Sequence, residues 1–550
     1  MIPLVTVEQM RALEAQANER GWTYDDMMEA AGRGLAERVH LLYGESTART
    51  ALGLVGSGNN GGDTLVALAY LATWGWQVTA YLARPRAEDD PLVRRVREAG
   101  GTVLRAEADP ERRELHEALG NHDVLLDGLL GTGARPPIKA PLADLMARVK
   151  AWTAQFRPAV VAVDVPSGTD CDTGQVAEQT LPADHTVTMA AVKIGMVQLP
   201  ALTYLGELHV VDIGLPDDLP AWKDIHREVP DEDRVRQLLP SRPKDAHKGT
   251  FGTVLVVAGS VNFTGAAYLA GKAAYRVGAG LVTLAVPHPL HPALAGVFPE
   301  ATWLLLPHEV GVIAEGAAVV VWEHLQRGRV KALLLGPGFG LERTTEAFLR
   351  RLLASGPPRK KARPVGFLAN EHPDTDAHTQ DATRWPPIVV DADGLKLLAR
   401  LEDGPRRLPG PAVLTPHPGE MAVLTGLSTR DIQSRRIEVA ERYAREWGHV
   451  VVLKGAGTVI AAPDGRTAVL PVATPALARA GTGDVLAGAI AGLLAQGLPP
   501  YEAALAGAWL HAAAGLAAAE VLGSTAAVLA GDVLDALVDV LSELEPIPNV

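Results

Sequence analysis

Between Ala51 and Asp63 the chain reads ALGLVGSGNNGGD. A short apolar run comes first, then Gly56, Gly58, Gly61 and Gly62 around Asn59-Asn60, then an acid. The run Ala51 to Val55 predicts a strand, and Asp63 to Trp74 a helix. Glycines between them allow a tight turn and close approach by a ligand. The first helical N–H groups then face an anion. Gly56, Gly58 and Gly61 match the G-x-G-x-x-G spacing of dinucleotide sites. Two adjacent amides and Asp63 at the helix start do not belong to that pattern, and an acid there repels a phosphate placed directly above it. The stretch therefore reads as a phosphate or polar-ligand site, with an ordinary turn as the alternative.

Working outward, the same alternation continues. Strands are expected at Gln77–Leu82, Thr102–Ala106, Asp123–Asp127, Ala159–Asp164, Thr186–Ala190 and Leu208–Asp212, with helices between several of them. Buried strands separated by helices mean a mainly parallel sheet covered on both faces. Prolines 216, 220, 230, 240 and 243 then punctuate a charged stretch, the expected boundary. Beyond it the alternation restarts at Thr253–Ala258 and runs through Leu281–Val286, Lys331–Leu335, Ile388–Asp391, Val413–Thr415 and Val450–Leu453. A hairpin is expected around Asp464-Gly465, and one long helix over Gly483–Gln496. The fold class is α/β, as two three-layer α/β/α domains, residues 1–218 and 230–545. Residues 354–387 contain RKKAR and few large apolar side chains, and read as a surface loop.

A chain of 550 residues is too long for one core. Its net charge of -13 argues against non-specific nucleic-acid binding. The single cysteine, Cys171, excludes an intrachain disulfide and a cysteine-cluster metal site, and fits a reducing cytoplasm. The N-terminus lacks the pattern of a signal peptide; Thr6 with Gln9 three residues on reads as a helix cap. The longest soft stretch, Val485–Leu498, is too short to span a bilayer. The expectation is a soluble cytoplasmic protein with no nucleic-acid or membrane partner, whose apolar helices allow a homo-oligomer.

Three further clusters follow expected strands in the first half: DGLLGTGARPP (Asp127–Pro137), DVPSG (Asp164–Gly168) and Lys193-Ile-Gly195. In a parallel sheet these carboxyl ends gather on one edge, where ligands bind. Asn60, Asp127 and Ser167 offer hard oxygens, suited to an alkali or alkaline-earth cation rather than zinc. Asp164 is a candidate acid/base residue. The bland alternative is that Asp127 and Asp164 only cap loops.

GSGNNGGD, DGLLGTGARPP and DVPSG, in that order, resemble the epimerase domain of the bifunctional NAD(P)H-hydrate repair enzymes, a Rossmann-like fold. The resemblance covers about Met1 to Leu215. It implies contact with the hydrated cofactor at Asn59, Asn60, Gly61, Gly62 and Asp63. It implies the same at Gly131, Thr132, Gly133, Ala134, Arg135, Pro136 and Pro137. It implies a potassium site on Asn60, Asp127 and Ser167, with Asp164 as the acid that touches the substrate. Thr64 stands where a smaller residue is common in that family.

In the second half, Ala480-Gly-Thr-Gly-Asp484 precedes a helix of small apolar residues. Its glycine N–H groups can cradle a phosphate, and Asp484 beside them can take a proton from an attacking hydroxyl. Lys454-Gly-Ala-Gly-Thr458 follows a strand but is no Walker loop. His417 and Glu420 lie at another strand end; a lone His is more often structural, but its setting among prolines and glycines after VLTP points toward ligand contact. The order HKGTFGTVLVVAGS, LGPGFG, DADGL, LTPHPGE, KGAGTVI, RAGTGDVLAG resembles the ADP-dependent hydrate dehydratases of the ribokinase-like superfamily. That implies substrate contact at Ala266, Gly338, His417 and Asp484. It implies adenylate contact at Lys454, Gly455, Ala456, Gly457, Thr458 and Gly483. The implied catalytic residues are Asp164 and Asp484. The implied substrates are NADHX, NADPHX and ADP, with K+ and Mg2+ as ions. Two alternatives stay open: a hydroxymethylpyrimidine- or sugar-type kinase fused to a nucleotide-binding domain, and a ligand-sensing first half without catalysis.

Overall fold

The computed structural model describes residues 2–45, 49–354 and 385–545. The chain forms two compact units, Met1–Val229 with Pro471–Ala473, and Pro230–Leu470 with Thr474–Val550. The loop expected at residues 354–387 lies almost wholly outside the described residues.

The first unit holds a seven-stranded parallel sheet. Its order is Thr102–Arg105, Gln77–Leu82, Thr50–Val55, Val124–Gly128, Ala159–Val163, His185–Met189, Glu207–Val211. Counted along the sequence this is 3-2-1-4-5-6-7. The direction of winding reverses between Thr50–Val55 and Val124–Gly128, and such a switch opens a crevice beyond the strand ends. GSGNNGGD and DGLLGTG both leave from that crevice. Side chains alternate across each strand. Ala51 and Val55 join one apolar core with Leu35, Leu65 and Leu68; Leu52 and Leu54 join a second with Leu115 and Leu145. Helices Tyr24–Tyr43 and Asn59–Thr73 thus cover one face, and Arg113–Asn121 and Leu142–Phe156 the other. The short strand Ile2–Val5 pairs with Val192–Lys193 and with Arg227–Val229. Behind it, Thr6 and Gln9 form the reciprocal cap that opens helix Val7–Glu19.

The second unit repeats the scheme. Seven parallel strands run in the order Thr302–Leu306, Leu281–Pro287, Thr253–Val257, Ala332–Leu335, Ile388–Val390, Ala412–Leu414, Val450–Leu453. The hairpin Thr458–Ala461 and Thr467–Leu470 continues the sheet antiparallel. Helix Thr482–Ala495 is almost wholly buried. Small residues make that possible: a Cβ on Gly488 would sit 2.1 Å from the Ala270 carbonyl oxygen of the helix Thr264–Arg276. The longest apolar helix is a different one from the stretch singled out above. Pro500–Leu522 spans 23 residues at a mean hydropathy of 1.4, long and apolar enough to cross a membrane by length and composition alone. Here it packs on Thr482–Ala495 and on helix Ala530–Leu544, and 56% of its most apolar stretch is buried, as in a core helix.

Candidate active sites

In the first unit the glycines of GSGNNGGD divide by role. A Cβ on Gly56 would lie 2.1 Å from the Leu129 carbonyl oxygen, and one on Gly61 2.1 Å from that of Gly56. These two let neighbouring turns touch. Gly58 and Gly133 meet nothing and face open space. Both line a cavity of about 500 Å³, together with Asn59, Asn60, Gly131, Thr132 and Ala134. Its floor carries Asp164, Lys193, Asp63 and Glu14.

Asp164 takes a left-handed backbone (φ 62°) just after strand Ala159–Val163, a conformation few non-glycine residues adopt. Its carboxylate accepts from Thr188 Oγ1 at 3.0 Å and from the Met189 N–H at 3.1 Å, and pairs closely with Lys193 Nζ. The Lys193 side chain is 2% exposed and also donates to Thr188 Oγ1 at 2.9 Å. Burial, then the charges of Asp164 and Glu14, push Asp63 well above the usual carboxylate range. Glu14 is raised as well, first by burial. Asp63 is the fifth residue of helix Asn59–Thr73, one turn in from its start, where burial disfavours its charge.

Asn60, which lines the cavity, also belongs to an oxygen-rich knot. Asn60 Nδ2 donates to the Leu130 carbonyl at 3.0 Å; the Leu130 N–H donates to Ser167 Oγ at 2.9 Å; the Ser167 N–H donates to Asp127 Oδ2 at 2.9 Å. Asn60 Oδ1 and Asp127 Oδ1 are buried without a hydrogen-bond partner. Two orphan oxygens tied into one hydrogen-bonded chain fit a bare cation.

In the second unit Gly481 (φ 90°) caps helix Thr482–Ala495, with Asp484 in its first turn. Burial, then the Asp391 charge, push Asp484 up to about 7, against the pull of Lys454. Lys454 Nζ donates to Asp391 Oδ1 at 2.6 Å and stands 3.9 Å from Glu420 Oε2. Burial opposes its charge, yet those two carboxylates hold its pKa above the ordinary value. Asp391 Oδ1 also accepts from Thr415 Oγ1 at 2.7 Å. A Cβ on Gly483 would be 3.4 Å from Lys454 Nζ, so the glycine loop and the lysine face each other. The loop Lys454–Thr458 is pinned from behind by buried Arg436, which donates to the carbonyls of Leu453 (2.8 Å), Lys454 (3.1 Å) and Gly457 (3.3 Å). Gly338 (φ 64°) touches Ala266: a Cβ there would be 2.9 Å from that of Ala266.

The family model described as NAD(P)H-hydrate dehydratase matches residues 254–359 and 370–538, and that of the YjeF-related protein N-terminus matches 24–195. A bifunctional NAD(P)H-hydrate repair enzyme of Moorella thermoacetica is 38% identical over 98% of this chain and 97% of its own length. The chain belongs to the bifunctional NAD(P)H-hydrate repair enzymes. The Escherichia coli member of this repair family is 32% identical over 95% of this chain and 90% of its own. Among solved structures, an ADP/ATP-dependent NAD(P)H-hydrate dehydratase from Bacillus subtilis, co-crystallised with ATP/Mg2+, is 31% identical. It covers 58% of this chain and 99% of its own, at a TM-score of 0.44.

Within this repair-enzyme chain the expected residues are not all equivalent. Asn59, Asn60, Asp63, Gly131, Thr132, Gly133, Ala134 and Asp164 line the cavity; Gly61, Gly62, Asp127 and Ser167 are buried and do not line it. Arg135 is turned to Asp172 (3.2 Å) and Asp170 (3.4 Å), and neither it nor Pro136 and Pro137 lines the cavity. Arg11 and Arg84 do. His417 is a helix cap: its Nδ1 accepts from the N–H groups of Gly419 (3.0 Å) and Glu420 (3.2 Å), while Nε2 lies 3.4 Å from Glu420 Oε1 and the ring stays half-exposed. Sequence reasoning missed Glu14, Arg84, Arg436 and the partnership of Lys454 with Asp391. DADGL supplies Asp391 and was in view, but no spacing pairs it with a lysine 63 residues later.

Proposed function

We propose that the first unit interconverts the (R) and (S) forms of hydrated NADH and NADPH. The second then dehydrates the (S) form with ADP, releasing AMP and phosphate. Addition of water across the C5–C6 bond of the dihydronicotinamide ring leaves a carbinol of either hand at C6. An epimerase lets a dehydratase that accepts one hand clear both, which is a physical reason for the fusion.

The observation that carries the dehydratase assignment is Asp484, poised near neutrality at about 7 beside a glycine-lined helix start and a lysine. Asp484 takes the proton from the C6 hydroxyl. The C6 oxygen attacks the β-phosphorus of ADP, and the bond from that phosphorus to the bridging oxygen breaks, freeing AMP. N–H groups of the Gly481–Gly483 loop and Lys454 face the charge that builds on the phosphoryl oxygens. The ring nitrogen lone pair expels phosphate from C6, and loss of a C5 proton restores the double bond. Mg2+ enters with the nucleotide as part of that substrate.

For the epimerase, Asp164 with Lys193 is the acid/base pair, on the floor of a cavity sized for a nucleotide. Asn60, Asp127 and Ser167 would hold K+, which supplies positive charge beneath the anionic end of the ligand. Arg11 and Arg84 offer further charge at the cavity wall.

The test is a coupled assay with mixed epimers and ADP, following the return of reduced-cofactor absorbance. Asp484→Asn should slow recovery by about 10²–10⁴-fold. Asp164→Asn should stop recovery at the (S) fraction initially present. A stable phosphorylated product, without reduced cofactor, would show a kinase instead.

A further inference from the structure

The first unit carries a second cluster, away from its cavity. Strands His185–Met189 and Glu207–Val211 pair in parallel, with His185 opposite Glu207 and Val187 opposite His209. Side chains two apart on a strand share a face, so this register gathers His185, Glu207 and His209 on one side of the sheet edge. Their ligand atoms all lie within 4.8 Å of one another. His185 Nδ1 and His209 Nε2 are 3.0 Å apart. Glu207 places Oε2 3.5 Å from the first and Oε1 3.7 Å from the second.

We propose that His185, Glu207 and His209 form a binding site for a late first-row transition dication, with Zn2+ as the type. Two imidazoles and one carboxylate are a ligand set of the right softness for such an ion. At metal–nitrogen bonds of about 2.0–2.1 Å, ligand atoms sit about 2.9 Å apart for right-angle geometry and about 3.3 Å apart for tetrahedral. The nitrogen pair, at 3.0 Å, lies in that range; the carboxylate reaches the two nitrogens through different oxygens, at 3.5 and 3.7 Å, so closing on an ion asks for a rotation of the Glu207 side chain. The two rings stand within 29° of parallel, with facing nitrogens. At most one of those nitrogens carries a proton if both rings are neutral. Entry of the ion moves that proton to the same ring's other nitrogen, and no other atom changes hands. Glu207 is 67% exposed at the side chain and gives the ion a path from solvent.

The cluster sits at the amino ends of its strands. Met189, at the other end of the first strand, lines the epimerase cavity, about 13 Å away along four residues. A bound ion would therefore clip the edge strand Glu207–Val211 to its neighbour without touching the substrate.

The test uses the full chain. Equilibrium dialysis against ZnCl2 with metal analysis should give wild type one tight equivalent more than His185→Ala/His209→Ala, above any weak binding by the other histidines. Co2+ should give a visible ligand-field band in wild type that is lost in the variant. Zn2+ should raise the melting temperature of wild type alone. Should the double variant fail to fold, Glu207→Gln, altered at an exposed position, should bind about tenfold or more weakly. Equal Zn2+ uptake by wild type and either variant would overturn the site, as would a wild-type Co2+ complex with no such band.

Discussion

Asp484→Asn should change rate and stability in opposite directions. The rate loss follows from the lost base, about 10²–10⁴-fold in ADP-dependent dehydration. The stability gain follows from burial. In the folded chain this carboxyl titrates at about 7, against 3.8 as the ordinary value. The folded state therefore holds the proton more tightly than the unfolded chain does. Its favourable contribution is complete below pH 3.8 and is lost as pH rises through 7. Across that window the penalty for the ionised group reaches about 4 kcal/mol as a ceiling. Asp484 is not fully buried, and local relaxation should leave about half of that, about 2 kcal/mol. Asn carries no charge and escapes the penalty. The variant's melting temperature should match wild type near pH 4 and exceed it by roughly 3–6 °C at pH 8. Differential scanning calorimetry across pH, beside the coupled absorbance assay, measures both. A temperature difference that does not grow between pH 4 and 8, or an undiminished rate, would refute the reasoning.

Wild-type dehydration should rise with pH through about 7 as Asp484 ionises, then flatten; a rate profile level from pH 5 to 9 would count against it as base. Lys193→Met leaves Asp164 without its buried partner. It should cost about 3–5 kcal/mol in denaturant unfolding and stop epimer exchange, with dehydration of pure (S) substrate retained; unchanged exchange would remove Lys193 from the acid/base pair. Asn60→Ala removes one of two orphan oxygens. K+ in place of Na+ should raise the wild-type melting temperature and not the variant's; an equal rise in both would displace the cation from Asn60. Gly61→Ala puts a Cβ 2.1 Å from the Gly56 carbonyl oxygen. The turn must shift, at about 1–3 kcal/mol, with loss of epimerase activity; a neutral result in both assays would contradict the packing role of this glycine.

Most of the fold was legible because each unit is built on seven parallel strands. The strands are short apolar runs separated by helices, and each run stands out from its surroundings. Ala159–Val163, Gln77–Leu82 and Val450–Leu453 announce themselves this way. Ile2–Val5, Val192–Lys193 and Arg227–Val229 do not: at two to four residues each, they are strands only because they pair with one another. Pro500–Leu522 was passed over because alanines carry no strong periodic signal, and its burial depends on what packs around it.

The sequence alone determined the alternation of elements, the ordered glycine motifs at the strand ends, and through them the family. These are local features, written in consecutive residues. Tertiary structure alone decided which charges meet: Lys193 with Asp164, Lys454 with Asp391, and Asp63 beside Glu14 under a cavity. It also decided that Arg135 faces two aspartates while Arg11 and Arg84 face the cavity. A proton's affinity for a carboxylate depends on how much water surrounds it and which charges lie within a few ångströms. Both are set by chain segments far apart in sequence, brought together only when the strands align.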